Sequence, residues 1–281
     1  MGALVWISGA SSGIGQALVE SIPWSPARII GISRGPAAGT EHLGADLADP
    51  AGWDELGASF RRELEGFQGD RIVFVHAAGT LEPMGFAGEV DTGAYRRNVV
   101  LNSASPQVLG HMFLAAVASH TEARRHLMMI TSGAASSVYP GWSSYGAAKA
   151  AVNQWVRDVG AEQDLRAQGG AGGGGDGGGR DGSGRDGSGR DGSGGGGRER
   201  RSGKGGGIQV LAVAPGTVDT DMQAMIRSTS EEDFPQRAKF VDLYDAGKLT
   251  PPQEVAARMW RLLDSDHLDN GSVIDLRDLP A

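Results

Sequence analysis

The chain has no cysteine among its 281 residues. Disulfides and thiolate chemistry are therefore excluded, and a zinc site would need His and carboxylates alone. Histidine is scarce as well, with six in all; His42, His111, His120, His126 and His267 show no metal-ligand spacing, so no metal is expected. Long hydrophobic runs are missing. The first apolar stretch, Ala3 to Ile7, is strand-sized, and no run approaches the roughly 20 apolar residues of a membrane span. Nor does the N-terminus carry a basic region ahead of a long apolar one, so no leader is read there. Positive charge is outweighed, with 26 Lys and Arg against 34 Asp and Glu and a net charge of −8, which argues against non-specific binding to nucleic acid or anionic membrane. The cytoplasm is the expected location.

What is present is an ordinary soluble balance, 40% apolar and 21% charged, on a chain long enough for one large α/β core. Nearly half of its 46 glycines fall between Gly169 and Gly207, where Arg-Asp-Gly-Ser-Gly repeats in tandem from Arg180, Arg185 and Arg190. Such a stretch buries too little apolar surface to offset its ordering entropy and is read as a disordered insertion loop, 169–207, within a single domain, 1–281. Its arginines alternate with Asp, and no aromatic residue offers a stacking platform, so it is not read as a nucleic-acid grip.

Outside that loop, strand and helix patterns alternate. Strands are expected at Ala3–Ser8, Arg28–Ser33, His42–Asp46, Arg71–His76, His126–Thr131, Ile208–Ala214 and Val273–Leu276. Helices fit Ile14–Ser21, Pro50 to Glu65 with Asp49 as N-cap, Asp91–Ser119 with a bend near Pro106, Ser143–Gln168, Asp221–Arg227, Glu231–Tyr244 and Pro251–Leu263. This alternation predicts an α/β fold: a doubly wound parallel sheet of about seven strands, with its ligand crevice beyond the carboxyl ends of the strands.

The residues following the strands carry the chemistry. After the first comes Gly9-Ala10-Ser11-Ser12-Gly13-Ile14-Gly15, a variant dinucleotide loop whose glycines let backbone N–H groups and a helix N-terminus approach a pyrophosphate. The second strand ends in Ser33-Arg34, with no carboxylate before Glu41. A guanidinium pairs well with a 2′-phosphate, so NADPH is the expected cofactor, selected by Arg34 with help from Ser33. Asp46, followed by Leu47, is read as the adenine side. The fifth strand delivers Ser132; thirteen residues later come Tyr145 and, one helical turn on, Lys149. The ammonium is expected to make the phenol more acidic, and the phenol to deliver a proton to a carbonyl oxygen held by Ser132. Tyr244 and Lys248 repeat the spacing without a serine-bearing strand before them, and Gly247 marks a helix end there.

The Gly9–Gly15 loop, Ser132, Tyr145 with Lys149, and Pro215-Gly216 together resemble the short-chain dehydrogenase/reductase family over all but the glycine-rich loop. Thr131–Ala135, Tyr139–Tyr145 and Asp219–Gln223 are similar to its benzil reductase and sepiapterin reductase members; Met222–Ser228 and Asn270–Asp275 look closest to the benzil reductases. The resemblance implies NADPH-dependent reduction of a ketone or α-diketone. It implies Tyr145 as general acid and Lys149 on the nicotinamide ribose. Asn102 is preferred over Asn98 for holding a relay water. Pro215, Gly216, Val218 and Thr220 would lie along the nicotinamide side, Ala77, Ala78 and Gly79 against the adenosine half, and Asp275 would be either a substrate anchor or a surface carboxylate. Where the family reads Asn-Asn-Ala-Gly, this chain has His76-Ala77-Ala78-Gly79, so the strand-tethering bonds must be made otherwise, with His76 a candidate. The family also implies a homodimer paired through Asp91–Ser119 and Ser143–Gln168. A non-catalytic NADP(H) sensor remains the alternative.

Overall fold

In a computed structural model the described residues are 2–170, 207–265 and 268–280. They hold seven strands, β1 (Ala3–Ser8), β2 (Ala27–Ser33), β3 (Glu41–Gly44), β4 (Arg71–His76), β5 (Arg124–Ile130), β6 (Gln209–Ala214) and β7 (Val273–Asp275). All pair in parallel, in the order β3-β2-β1-β4-β5-β6-β7. The winding reverses between β1 and β4, and a crevice opens there at the carboxyl ends of the strands. The glycine-repeat segment read as a disordered loop lies outside the described residues over 171–206.

Eight α-helices accompany the sheet among the described residues: α1 (Gly13–Glu20), α2 (Pro50–Leu64), α3 (Thr92–Val99), α4 (Ser105–Ala116), α5 (Ser143–Gly170), α6 (Asp221–Ser228), α7 (Arg237–Asp245) and α8 (Pro252–Leu263). β1 is buried along its whole length, as an inner strand covered on both faces must be. One face packs Trp6, Phe60, Phe74 and Phe113 edge to face at centroid distances of 5.1–6.3 Å, and the Trp6 indole donates to Ser59 Oγ at 3.1 Å. The other face seats Leu18, Val73 and Trp260. Asp49 caps α2 by accepting from Ala51 N, with Pro50 at the first helical position.

Two expected helices are corrected. Asp91–Ser119 is helical without a break over 92–116, but not as one regular α-helix: α3 passes into α4 through a π-helical turn, Val100–Ala104. Pro106 has no amide to give the carbonyl of Asn102 four residues earlier, so the regular ladder cannot run through. Glu231–Tyr244 is helical only from Arg237, because Pro235 disfavours helical geometry at Phe234 and supplies no N–H. Tyr244 and Lys248 flank a helix end, with Gly247 at φ +62°.

Candidate active site

The loop after β1 is shaped by close approach. Gly9 has φ +69°, and a Cβ there would stand 3.0 Å from the backbone of Ala78. A Cβ on Gly15 would collide with the Gly9 carbonyl. Gly13, at φ +52°, lies beside Thr220, whose Cγ2 would be 3.4 Å from an added Cβ. The loop from β1 and the segment after β6 thus meet at a cleft of about 350 Å³ lined by Ser11, Ser12, Gly13, Asp219 and Thr220. Free backbone N–H groups at the start of α1 suit a pyrophosphate. Thr220 Oγ1 donates to Val218 O at 3.4 Å, and Val218 is itself bridged to Thr250.

The strand-tethering bonds fall to Ser8, which sequence reasoning missed. Its buried Oγ accepts from Ala77 N at 3.0 Å and Ala78 N at 3.1 Å. Ser8 sits opposite His76 in the β1–β4 register, so the serine reaches the two amides that follow. His76 does something else: its Nε2 hydrogen-bonds Ser105 Oγ at 3.0 Å. Burial, reinforced by the charge of Lys149, pushes the imidazole down to about 3, so it is neutral at physiological pH.

At the end of β2, Ser33 is buried and donates to Gly35 O at 2.6 Å, whereas Arg34 is exposed. Asp46 accepts from Ala48 N at 3.0 Å and pairs with Arg97 at 3.0 Å. Burial raises the Asp46 pKa, but the Ala48 amide and the charges of Arg97 and Arg34 outweigh it and hold the carboxyl below its ordinary range. Two arginines therefore flank Asp46, and Arg97 was not anticipated, since it lies 63 residues from Arg34 in the chain. Leu47 is buried beside them.

Across the crevice, Ser132 follows β5 and caps a short 3-10 turn, Gly133–Ala135, by accepting from Ala134 N at 3.2 Å. Tyr145 and Lys149 project from the first turns of α5 and are both buried. Lys149 Nζ donates to Ile130 O at 2.8 Å, and Thr131 Oγ1 donates to Lys149 O at 3.4 Å, lacing the end of β5 to the helix. Burial lowers the Lys149 pKa to about 8. The expected acidification of Tyr145 is not what dominates here: burial raises the phenol above its ordinary value, and the Ser132 hydroxyl is the group that pulls it back. For both side chains burial is the largest cause of the shift.

Asn102, in the π-helical turn, is wholly buried. Its Oδ1 accepts from Thr80 N at 3.1 Å, and its Nδ2 donates to Thr80 O at 2.8 Å and to Asn98 Oδ1 at 3.1 Å. Asn98 in turn donates to Glu82 O at 2.8 Å. Gly79 is the meeting point: a Cβ there would be 2.9 Å from Asn102 Oδ1 and 3.7 Å from Lys149 Nζ. Beyond Tyr145 stands an aromatic wall that sequence reasoning did not assemble. Trp142 stacks on Phe234 at 4.5 Å and meets Tyr145 edge to face at 5.8 Å. Asp275, at the end of β7, has both carboxylate oxygens engaged by Arg277. Pro215 and Gly216 follow β6 directly, with Gly216 at φ +83°.

A glycine turn after β1 and a Ser132-Tyr145-Lys149 group after β5, both at the carboxyl ends of a doubly wound sheet, are the arrangement expected of a dinucleotide-linked oxidoreductase. The chain belongs to the short-chain dehydrogenase family, whose model matches residues 3–166. It is similar to a benzil reductase ((S)-benzoin forming) of Bacillus subtilis, 26% identical over 276 residues that cover 97% of each chain. It is also similar to sepiapterin reductase of Mus musculus, 26% identical over 295 residues, 97% of this chain and 95% of that one. A solved short chain dehydrogenase/reductase from Saccharomyces cerevisiae shares the fold with a TM-score of 0.70 at 21% identity, covering 98% of this chain and 96% of that one. No described helix is long and apolar enough to cross a membrane.

Proposed function

We propose that the protein is an NADPH-dependent carbonyl reductase that converts a ketone or α-diketone into a secondary alcohol. The observation that carries this reading is a linked set of side chains: Lys149 and Asn102 meet at Gly79, Lys149 lies over the Tyr145 ring, and the Ser132 hydroxyl hydrogen-bonds the Tyr145 phenol. Ser132 and Tyr145 are the hydroxyls that hold the substrate oxygen, and Tyr145 gives it a proton as the carbon is reduced. Ser132 is fixed for this by its bond to Ala134 N, and Lys149 is held by its bond to the Ile130 carbonyl. A bound nicotinamide supplies the hydride. Lys149 would hold its ribose, Ser11 to Gly15 and Thr220 would hold the phosphates, Ala77 to Gly79 would serve the adenosine half, and Pro215, Gly216 and Val218 would serve the nicotinamide side.

NADPH is preferred over NADH because β2 ends on Arg34 rather than a carboxylate and Arg97 stands nearby. Asn102 acts by shaping the turn in which its own carbonyl lacks its ordinary amide donor, a place for a relay water. The chain is read as one cytoplasmic domain carrying an insertion at 169–207, dimerising through α3–α4 and α5. The test is NADPH oxidation with benzil and a panel of ketones. Turnover with NADPH exceeding that with NADH supports the proposal. Tight NADPH binding without turnover of any diketone, ketone or quinone points instead to a sensor.

A further inference from the structure

β7 ends at Asp275, and the chain turns there through a 3-10 turn, Leu276–Asp278. Asp275 caps that turn by accepting from Arg277 N at 2.9 Å. It also closes a two-pronged ion pair with the same residue, Nε to Oδ1 at 2.9 Å and Nη2 to Oδ2 at 2.5 Å. A guanidinium carries five N–H donors and no acceptor. The pair uses one edge of the fork and fixes the plane of the rest, while the side chain remains 61% exposed.

The place where that fork stands matters. An added Cβ on Gly133 would lie 3.2 Å from Arg277 Nη2, and one on Gly216 would lie 3.2 Å from its Cγ. Gly133 is the residue after Ser132, and Gly216 the residue after Pro215. The Arg277 side chain therefore bridges the carboxyl ends of β5 and β6, on the rim beside the serine proposed to hold the reacting oxygen. Tyr139, in the aromatic wall next to Trp142, also lies within its electrostatic reach.

We propose that Arg277, oriented by Asp275, is a specificity residue whose remaining N–H donors receive a second oxygen on the carbon adjacent to the reacting carbonyl, selecting vicinal dicarbonyl substrates. This rests on the carbonyl-reductase reading and narrows its substrate class. Because Asp275 neutralises the guanidinium, the pair does not require an anionic ligand; what it presents is donors, which a neutral carbonyl oxygen satisfies. Both Asp275 oxygens already accept from Arg277, which leaves the carboxylate less able to receive a substrate that offers N–H groups. A monoketone leaves the donors to water.

Benzil and deoxybenzoin separate these cases, because they share a skeleton and differ by one carbonyl oxygen. Steady-state kcat/KM with NADPH is measured for both compounds on the full chain and on Arg277→Leu, Arg277→Lys and Asp275→Asn. A hydrogen bond from a charged donor leads us to expect the benzil-to-deoxybenzoin ratio to fall about ten-fold or more in Arg277→Leu, chiefly through KM for benzil. Arg277→Lys recovers part of the ratio, and Asp275→Asn, which frees the fork to swing, lowers it by less than Arg277→Leu. A ratio within two-fold of the parent in the variants that fold, judged by thermal unfolding and NADPH binding, overturns the role of Arg277. If Arg277→Leu fails to fold, the other two variants decide. A parent chain that reduces other ketones but neither of these compounds overturns the selection of vicinal dicarbonyls and leaves the carbonyl-reductase reading standing, whereas a parent that reduces nothing in the wider panel overturns both.

Discussion

Lys149 Nζ lies 5.7 Å from the centre of the Tyr145 ring and over its face. The ammonium is thus one helical turn from the phenol, yet burial has shifted both groups away from their charged forms. In the free protein Tyr145 is a firmly protonated donor, and Lys149 is the side chain of the two that titrates near neutrality.

A pH dependence follows from that pair. The Lys149 pKa is lowered to about 8, so its charged form prevails below that pH and is lost above it. Tyr145, raised above its ordinary value, does not titrate over the same range. We expect kcat/KM for NADPH, which reports the free enzyme, to be level from pH 6 to 7.5 and to fall about ten-fold per unit well above pH 8. A level profile to pH 10 contradicts the assignment.

Tyr145→Phe removes the proton donor and keeps the ring that packs on Trp142. Reduction of benzil should drop by about 10²–10⁴-fold with NADPH affinity retained. Stopped-flow turnover and fluorescence titration of NADPH measure the two separately, and substantial activity in this variant excludes Tyr145 as the acid.

Arg34→Ala addresses the cofactor. Loss of a guanidinium facing a phosphate should weaken kcat/KM for NADPH by about ten-fold or more while NADH changes little. Equal effects on both cofactors would assign Arg34 to the surface.

Ser8→Ala strands the amides of Ala77 and Ala78. We expect a loss of about 1–3 kcal/mol, read as a lower urea midpoint, because an unpaired buried N–H costs its full desolvation. NADPH should also bind less tightly, since Ala78 backs the Gly9 turn.

Phe234→Ala opens the aromatic wall. Phe234 is fully buried between Trp142 and Phe240, and truncation of such a ring costs about 3–5 kcal/mol. Thermal unfolding should register that loss, with an accompanying rise in KM for aromatic diketones.

The strands were legible because inner parallel strands read as short apolar runs, and β1 and β4 match their sequence boundaries. The Gly9 loop was legible for the same local reason: only glycine permits the approach of Ala78 to Gly9. What escaped was set by contacts between distant residues. Ser8 reads as the last residue of a strand until β4 is laid beside it. Arg97 joins Asp46 only across a helix-to-loop packing. The π-helical turn follows from Pro106 only once Asn98 and Asn102 are seen gripping the Thr80 segment. The electrostatics of Tyr145 were misjudged because spacing reports the neighbouring charge and says nothing of how dry the site is.

The 28 residues of α5 set the site far from where the chain later rejoins the sheet. At 1.5 Å per residue the helix carries the backbone about 40 Å from its first turn, which bears Tyr145, to Gly170. β6 then starts at the amino edge of the sheet, so its own length separates Gln209 from Pro215 at the reacting rim. Both anchor points of the intervening stretch therefore hang from the pole opposite the chemistry. A reporter domain or an immobilisation handle spliced between Gly170 and Gly207 would be tethered there, leaving the entrance to the crevice clear for cofactor exchange.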